Sequence, residues 1–126
     1  MCIRDRSAET LQARGVLGCV TDGAVRDVPF LVKQQFPTWS RGYTPRDIVG
    51  HWLAGETDIP ITIGAVTINP GDYLLGDHDG MVVIPAGDIE DIINESEKAV
   101  NTENRIRSAI LSGMDPQKAY LEFGKF

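Results

Sequence analysis

The chain has 126 residues, with 12 basic and 18 acidic side chains and a formal net charge of −6. That length suits one domain with a real core. The acidic balance, with Arg4/Arg6 and Arg105/Arg107 as scattered basic pairs, offers no phosphate-tracking face, so no direct nucleic-acid partner is expected. No apolar run approaches the roughly 18 residues of a membrane span, and Cys2 and Cys19 fall short of a disulfide framework, so a cytoplasmic protein without membrane contact is expected.

In chain order, residues 1–6 (MCIRDR) show no periodicity and read like a translated sequencing adapter, a non-native scar to be kept out of fold reasoning. The natural sequence is then expected to begin around Ser7, already inside a helix in which Ala8, Leu11 and Ala13 lead to a stop at Gly15. Val16–Thr21 reads as a strand covered on both faces. Asp22-Gly23 punctuates it, and Ala24–Val32 suits a short helix or turn. Phe36–Ser40 is a short strand, and Gly42 and Pro45 make Arg41–Asp47 a loop. Residues 48–58, with His51, have only weak periodicity.

From Ile59 the pattern alternates, is broken by Gly64, turns at Asn69–Asp72, resumes at Tyr73–Asp77, turns at His78–Gly80 and ends in a buried strand, Met81–Pro85. A β-meander is expected. A long amphipathic helix follows from an Asp88 N-cap to a stop at Gly113, with a kink near Asn101-Thr102. Asp115-Pro116 starts a last short helix that ends at Gly124.

The chemistry concentrates on Arg26 and Asp27. Arginine's planar fork suits a substrate carboxylate, and an aspartate just past a strand suits a hard divalent cation such as Mg²⁺, so the pair would clamp a 2-oxo acid. Taken alone, two such residues also fit a solvated turn. Arg41 and Arg46 suit an anionic ligand or an ordinary surface loop. Asp77, His78 and Asp79 look like metal ligands but fit a hairpin turn better. His51 has no partner at ligand spacing, and Asp22 is expected to brace the turn that orients Arg26.

ARGVLGCVTDGAVRD (13–27), PTWSRGYTPRD (37–47), IPITIGAVTINPGDYLLGDHDGMVVIP (59–85) and SGMDPQKAYLEFGKF (112–126) resemble the RraA-like family. That family includes 4-hydroxy-4-methyl-2-oxoglutarate aldolases and the regulator of ribonuclease E activity. Its members are normally longer at the N-terminus, so residues 7–126 are expected to be a partial RraA-like domain. The resemblance implies an α/β fold, αββα with a swivelling, phosphohistidine-domain-like β-sandwich and a long C-terminal helix, assembled as a homotrimer or hexamer.

For the aldolase branch the resemblance also implies roles. Arg26 binds the pyruvyl part of the substrate and Asp27 the divalent metal, Mg²⁺ or Mn²⁺. Cleavage of a 4-hydroxy-2-oxo acid and decarboxylation of oxaloacetate then share a pyruvate enolate, which makes the chain a class II aldolase, impaired if part of its site is missing. The aldolases also use an acidic residue about twenty positions before the pair. Asp5 stands there but lies in the adapter-like start, so its match is read as chance. The alternative from the same fold is a non-catalytic, protein-binding regulator of ribonuclease E type. A methyltransferase is not expected, since no Gly-rich strand-to-helix nucleotide loop is present.

Overall fold

A computed structural model describes residues 3–124. They divide into two compact units, one running up to Pro70 and taking in His78–Gly80, the other comprising Gly71–Asp77 and the chain from Met81 onward.

The first unit begins with helix α1 (Asp5–Ala13), whose Ala8 is fully buried. Its end is a Schellman closure: Gly15 N–H donates to Gln12 O and Val16 N–H to Leu11 O, both at 3.0 Å, with Gly15 at φ 81°. Val16 is therefore still finishing a helix, and Leu17 is 88% exposed. The strand expected over Val16–Thr21 with both faces covered is corrected to β1 (Cys19–Val20), because ladder bonding starts only where a partner strand begins, at Cys19 N–H to Pro37 O, 2.9 Å. Gly18 permits that approach, since a Cβ there would lie 3.0 Å from the Pro37 carbonyl oxygen.

β2 (Ala24–Val25), helix α2 (Val28–Lys33), β3 (Thr38–Trp39) and β4 (Gly42–Tyr43) follow. β1 pairs with β3 and β2 with β4, both parallel, and α2 is the crossover that parallel pairing requires. Thr21 N–H to Trp39 O and Arg41 N–H to Gly23 O, each 2.9 Å, carry the pairing across the break between the two ladders. Ile3 adds a parallel bridge to Val25, which thus has neighbours on both sides. Ile3, Ala8, Val25, Leu31 and Phe36 form the core, with Leu11, Cys19 and Val28 packed against it. The expected loop over Arg41–Asp47 therefore contains a strand, because a ladder needs only backbone groups and tolerates Gly42. Residues 48–58 are neither helix nor strand.

β5 (Ile61–Ile63) and β6 (Val66–Ile68) make an antiparallel hairpin around Gly64, at φ 62°. In the second unit β7 (Tyr73–Gly76) pairs antiparallel with β8 (Met81–Ile84). Each hairpin is its own two-stranded sheet, which corrects the expected meander. Pro70 lacks an N–H to donate and Gly71 turns at φ 94°, so the ladder does not run on. β8 is only partly covered, with Val82 exposed.

A short 3₁₀ turn (Ala86–Asp88) leads into α3 (Ile89–Leu111), which is assigned as helix without a break across Asn101-Thr102. Asp88 occupies the N-cap position but its side chain makes no capping bond. α3 ends in a second Schellman closure, Gly113 N–H to Ile110 O and Met114 N–H to Ala109 O. Helix α4 (Pro116–Phe123) is capped by Asp115, whose Oδ1 accepts from the N–H groups of Gln117 (3.0 Å) and Lys118 (3.1 Å). Ile106 and Ala119 are buried, and the Arg105 guanidinium lies 5.4 Å from the Phe123 ring centroid. The result is the expected mixed α/β fold with a long C-terminal helix. No helix among the described residues is long and apolar enough to cross a membrane.

Candidate functional site

Parallel strands end on the same side, so the segments leaving their carboxyl ends converge, and that is where open α/β sheets place ligands. Here three segments do so. Ile3 is followed by Arg4–Arg6, β2 by Arg26 and Asp27, and β4 by Thr44 and Pro45. All line one open concavity of about 700 Å³.

Arg26 is held firmly. Its own N–H donates to Ile3 O at 3.0 Å. Its side chain is 15% exposed, with Nη1 donating to Arg46 O at 3.3 Å and Nη2 paired with Asp47 Oδ2 at 3.2 Å. The remaining edge of the fork is different. Nε is buried without a hydrogen-bond partner and stands 3.7 Å from Asp27 Oδ2. An unsatisfied buried donor is costly, so the position of the guanidinium is set by its Nη1 and Nη2 contacts and not by a bond at Nε.

Asp27 occupies the N-cap position of α2, yet it does not cap. Its backbone lies at φ 57°, ψ 36°, in the left-handed region, and its side chain makes no bond to the helix N–H groups. An N-cap residue normally has extended geometry and gives its carboxylate to the first turn. The left-handed turn withholds that carboxylate from the helix, and it is 38% exposed beside Arg26.

The turn before the pair is braced by Thr21, which is buried and whose Oγ1 accepts from Gly23 N–H at 3.0 Å. The bracing expected of Asp22 is therefore corrected to its neighbour, and Asp22 is exposed. A hydroxyl satisfies this turn without bringing a charge into the protein. Arg41 and Arg46 do not line the concavity; Arg46 contributes its carbonyl instead. Asp5, whose spacing match is read as chance, does line it, from the first turn of α1. His51 is exposed in a turn, and Asp77–Gly80 link β7 to β8, as the hairpin reading expects. Cys19 is half-buried, and burial raises its thiol above the usual range; Cys2 lies outside the described residues.

The side chain that sequence reading passed over is Asp47. Its Oδ1 accepts from Ile48 N–H (2.6 Å) and Val49 N–H (3.3 Å), and its Oδ2 meets Arg26. The Val49 and Ile48 N–H groups, then Arg26, hold its carboxyl below the usual range. Among the described residues no three His, Cys, Asp or Glu side chains gather as a metal cluster; the carboxylates of the concavity are Asp5 and Asp27. A smaller depression of about 400 Å³ lies along one face of α3, lined by Glu103, Ile106, Arg107, Ile110 and Leu111.

The family model described as RraA-like, Aldolase/RraA, matches residues 2–83. A Halalkalibacterium halodurans protein bearing the name "Putative 4-hydroxy-4-methyl-2-oxoglutarate aldolase" is 35% identical over 108 residues, which is 86% of this chain and 51% of that protein. Protein DlpA of Legionella pneumophila is 31% identical over 115 residues, 91% of this chain but 19% of its own length. The chain thus spans about half, or less, of these relatives. The crystal structure of an uncharacterized protein from Pseudomonas syringae pv. tomato superposes with a TM-score of 0.90 at 28% identity, covering 96% of this chain and 57% of that one. Streptomyces coelicolor RraAS2, described as an unusual member of the RNase ES inhibitor RraA family, gives 0.71 at 28% identity, covering 84% and 54%. A family model over more than half of the sequence, together with these superpositions, makes the chain a member of the RraA-like family.

Proposed function

We propose that this chain carries the arginine–aspartate part of a divalent-cation-dependent lyase site. The enzyme cleaves a 4-hydroxy-2-oxo acid to pyruvate, in the manner of a 4-hydroxy-4-methyl-2-oxoglutarate aldolase, and decarboxylates oxaloacetate through the same pyruvate enolate. The observation that carries this reading is Arg26, a mostly buried guanidinium tethered at Nη1 and Nη2 in the lining of a concavity shared with Asp27. The aldolase names of several relatives support the reaction class.

The donor set fits Mg²⁺ or Mn²⁺, hard cations that take one or two carboxylates and keep several waters, and not a structural zinc, which needs four protein ligands. Asp27 would hold the ion, with Asp5 the second carboxylate of the concavity. When bound, such an ion supplies a Lewis acid for the 2-oxo oxygen. Arg26 grips the substrate carboxylate beside the 2-oxo group and so orients the bond to be broken. As the C3–C4 electron pair is released, negative charge moves onto the 2-oxo oxygen, and the fixed guanidinium stabilises it; losing one such preorganised donor costs roughly 10²–10³ in kcat. In aldol cleavage the 4-hydroxyl passes its proton to solvent water and C4 leaves as a carbonyl. In decarboxylation C4 leaves as CO₂. In both, C3 then takes up a proton.

The reading includes a cytoplasmic homotrimer or hexamer. A non-catalytic regulator of ribonuclease E type is the second reading, favoured by the likeness to RraAS2. The deciding experiment is pyruvate release from oxaloacetate with and without Mg²⁺, on this chain and on a version extended at its N-terminus with a relative's sequence. Mg²⁺-dependent release that disappears in Asp27→Asn upholds the lyase. Folded protein of both kinds that releases no pyruvate overturns it in favour of the regulator.

A further inference from the structure

We infer that Asp47 is the positioning residue of Arg26: it holds the guanidinium by Nη2 and so keeps it from collapsing onto Asp27. This rests on the lyase reading of Arg26 and Asp27.

The geometry gives Arg26 two carboxylates to choose between. Asp47 Oδ2 takes Nη2 at 3.2 Å, and Asp27 Oδ2 lies 3.7 Å from Nε, too far for a hydrogen bond. Asp47 wins because it is itself anchored. Its Oδ1 accepts from Ile48 and Val49 N–H in a turn closed by its own side chain, which leaves Oδ2 aimed at the guanidinium. The Arg46 carbonyl, one residue earlier, takes Nη1 at 3.3 Å, so one segment grips the outer end of the fork at two points. The segment leaves the carboxyl end of β4, beside β2, which delivers Arg26.

Releasing that grip changes both members of the pair. A guanidinium freed at Nη2 has Asp27 as its nearest carboxylate, and a two-bond pair with it is the preferred arginine–carboxylate geometry. Such a pair would occupy the fork needed for a substrate carboxylate and neutralise the carboxylate needed for a cation. Asp47 thus keeps the 3.7 Å ion pair between an arginine and an aspartate adjacent in sequence from closing into a two-bond one.

Asp47→Asn tests this selectively. The amide oxygen reproduces the bonds from Ile48 and Val49 N–H, while the amide NH₂ faces the guanidinium with donors only, so the turn survives and the grip is lost. Mn²⁺ binding by electron paramagnetic resonance and oxaloacetate decarboxylation are measured on the full chain, with Arg26→Ala, Asp47→Glu and the double variant Arg26→Ala/Asp47→Asn alongside. Loss of an outer residue that orients a site group costs about 10- to 100-fold. The expected results are a Mn²⁺ dissociation constant and a KM for oxaloacetate that each rise about tenfold in Asp47→Asn, with a smaller change in kcat and partial recovery in Asp47→Glu. With Arg26 removed, Asp47→Asn should add nothing, and Mn²⁺ binding should return to the parent level.

If Asp47→Asn binds Mn²⁺ and substrate like the parent while Arg26→Ala loses turnover, the positioning role is overturned and the lyase reading stands. If Arg26→Ala keeps full turnover, the lyase reading falls and takes the positioning role with it. If Asp47→Asn weakens Mn²⁺ binding equally with and without Arg26, the effect does not run through the guanidinium and the inference is refuted.

Discussion

Replacing Asp27 separates two properties that one residue combines. Its backbone sits at φ 57°, ψ 36°. In that left-handed region a β-carbon costs roughly 1–2 kcal/mol, and Asn and Asp are the side chains that tolerate it best. Asp27→Asn keeps the shape and the backbone preference and removes only the charge, whereas Asp27→Ala removes all three. The ion pair lost in either case is the 3.7 Å contact with Arg26, on a carboxylate 38% exposed, which solvent screening reduces to a few tenths of a kcal/mol. Asp27→Ala should therefore be less stable than Asp27→Asn by about 1 kcal/mol. In a domain of this size that is a gap in Tm of roughly 3–6 °C. Mg²⁺-dependent pyruvate release should vanish in both. Thermal melts followed by circular dichroism, with pyruvate release coupled to lactate dehydrogenase over a Mg²⁺ series, give both quantities. Asp27→Asn protein that keeps Mg²⁺-dependent turnover refutes the role of the carboxylate, and coincident melts of the two variants refute the backbone argument.

Gln35 closes α2 at φ 53°, with its N–H donating to Val32 O and that of Phe36 to Leu31 O, so Gln35→Gly should stabilise by about 1 kcal/mol, read as a higher urea midpoint. Gly18→Val should cost about 1–3 kcal/mol, because its side chain must displace the Pro37 carbonyl rather than a flexible group; a variant melting with the parent would contradict that packing. Asp115→Ala should cost about 1 kcal/mol through lost capping, and Asp88→Ala much less, so equal denaturation midpoints would count against the assigned caps. Because the folded pKa of Asp47 is lowered, its contribution is complete above the ordinary carboxylate range and is lost as pH falls through the lowered value. Urea midpoints of the parent should therefore fall more steeply on the acid side than those of Asp47→Asn, and superimposable profiles would refute it.

Helix ends were the most legible feature of the sequence. Gly15 and Gly113 stop α1 and α3 at φ 81° and 98°, and Asp115-Pro116 opens α4, because these residues act through local geometry that any context preserves. Gln35 does the same work at α2 with a residue that carries no such signal. Strands were read less well. Cys19–Val20 and Gly42–Tyr43 are strands because of the partners they meet across the α2 crossover, and a two-residue ladder leaves no periodicity to detect. The site was half legible. Arg26 and Asp27 could be singled out from the chemistry of adjacent side chains, whereas the Asp5 match reads as chance and Asp47 enters only through a contact with Arg26 that forms on folding.

The parallel pairing that gathers the site also sets when it can form. Hairpins such as β5–β6 and β7–β8 close over short turns and need about 1–10 μs. Joining β2 to β4 closes the longer loop that contains α2, which costs more chain entropy. The Arg26–Asp47 contact spans the two strands of that ladder, so the grip on the guanidinium depends on the parallel pairing and not on either hairpin. A ligand that bound only where this ladder is formed would stabilise the folded chain by mass action.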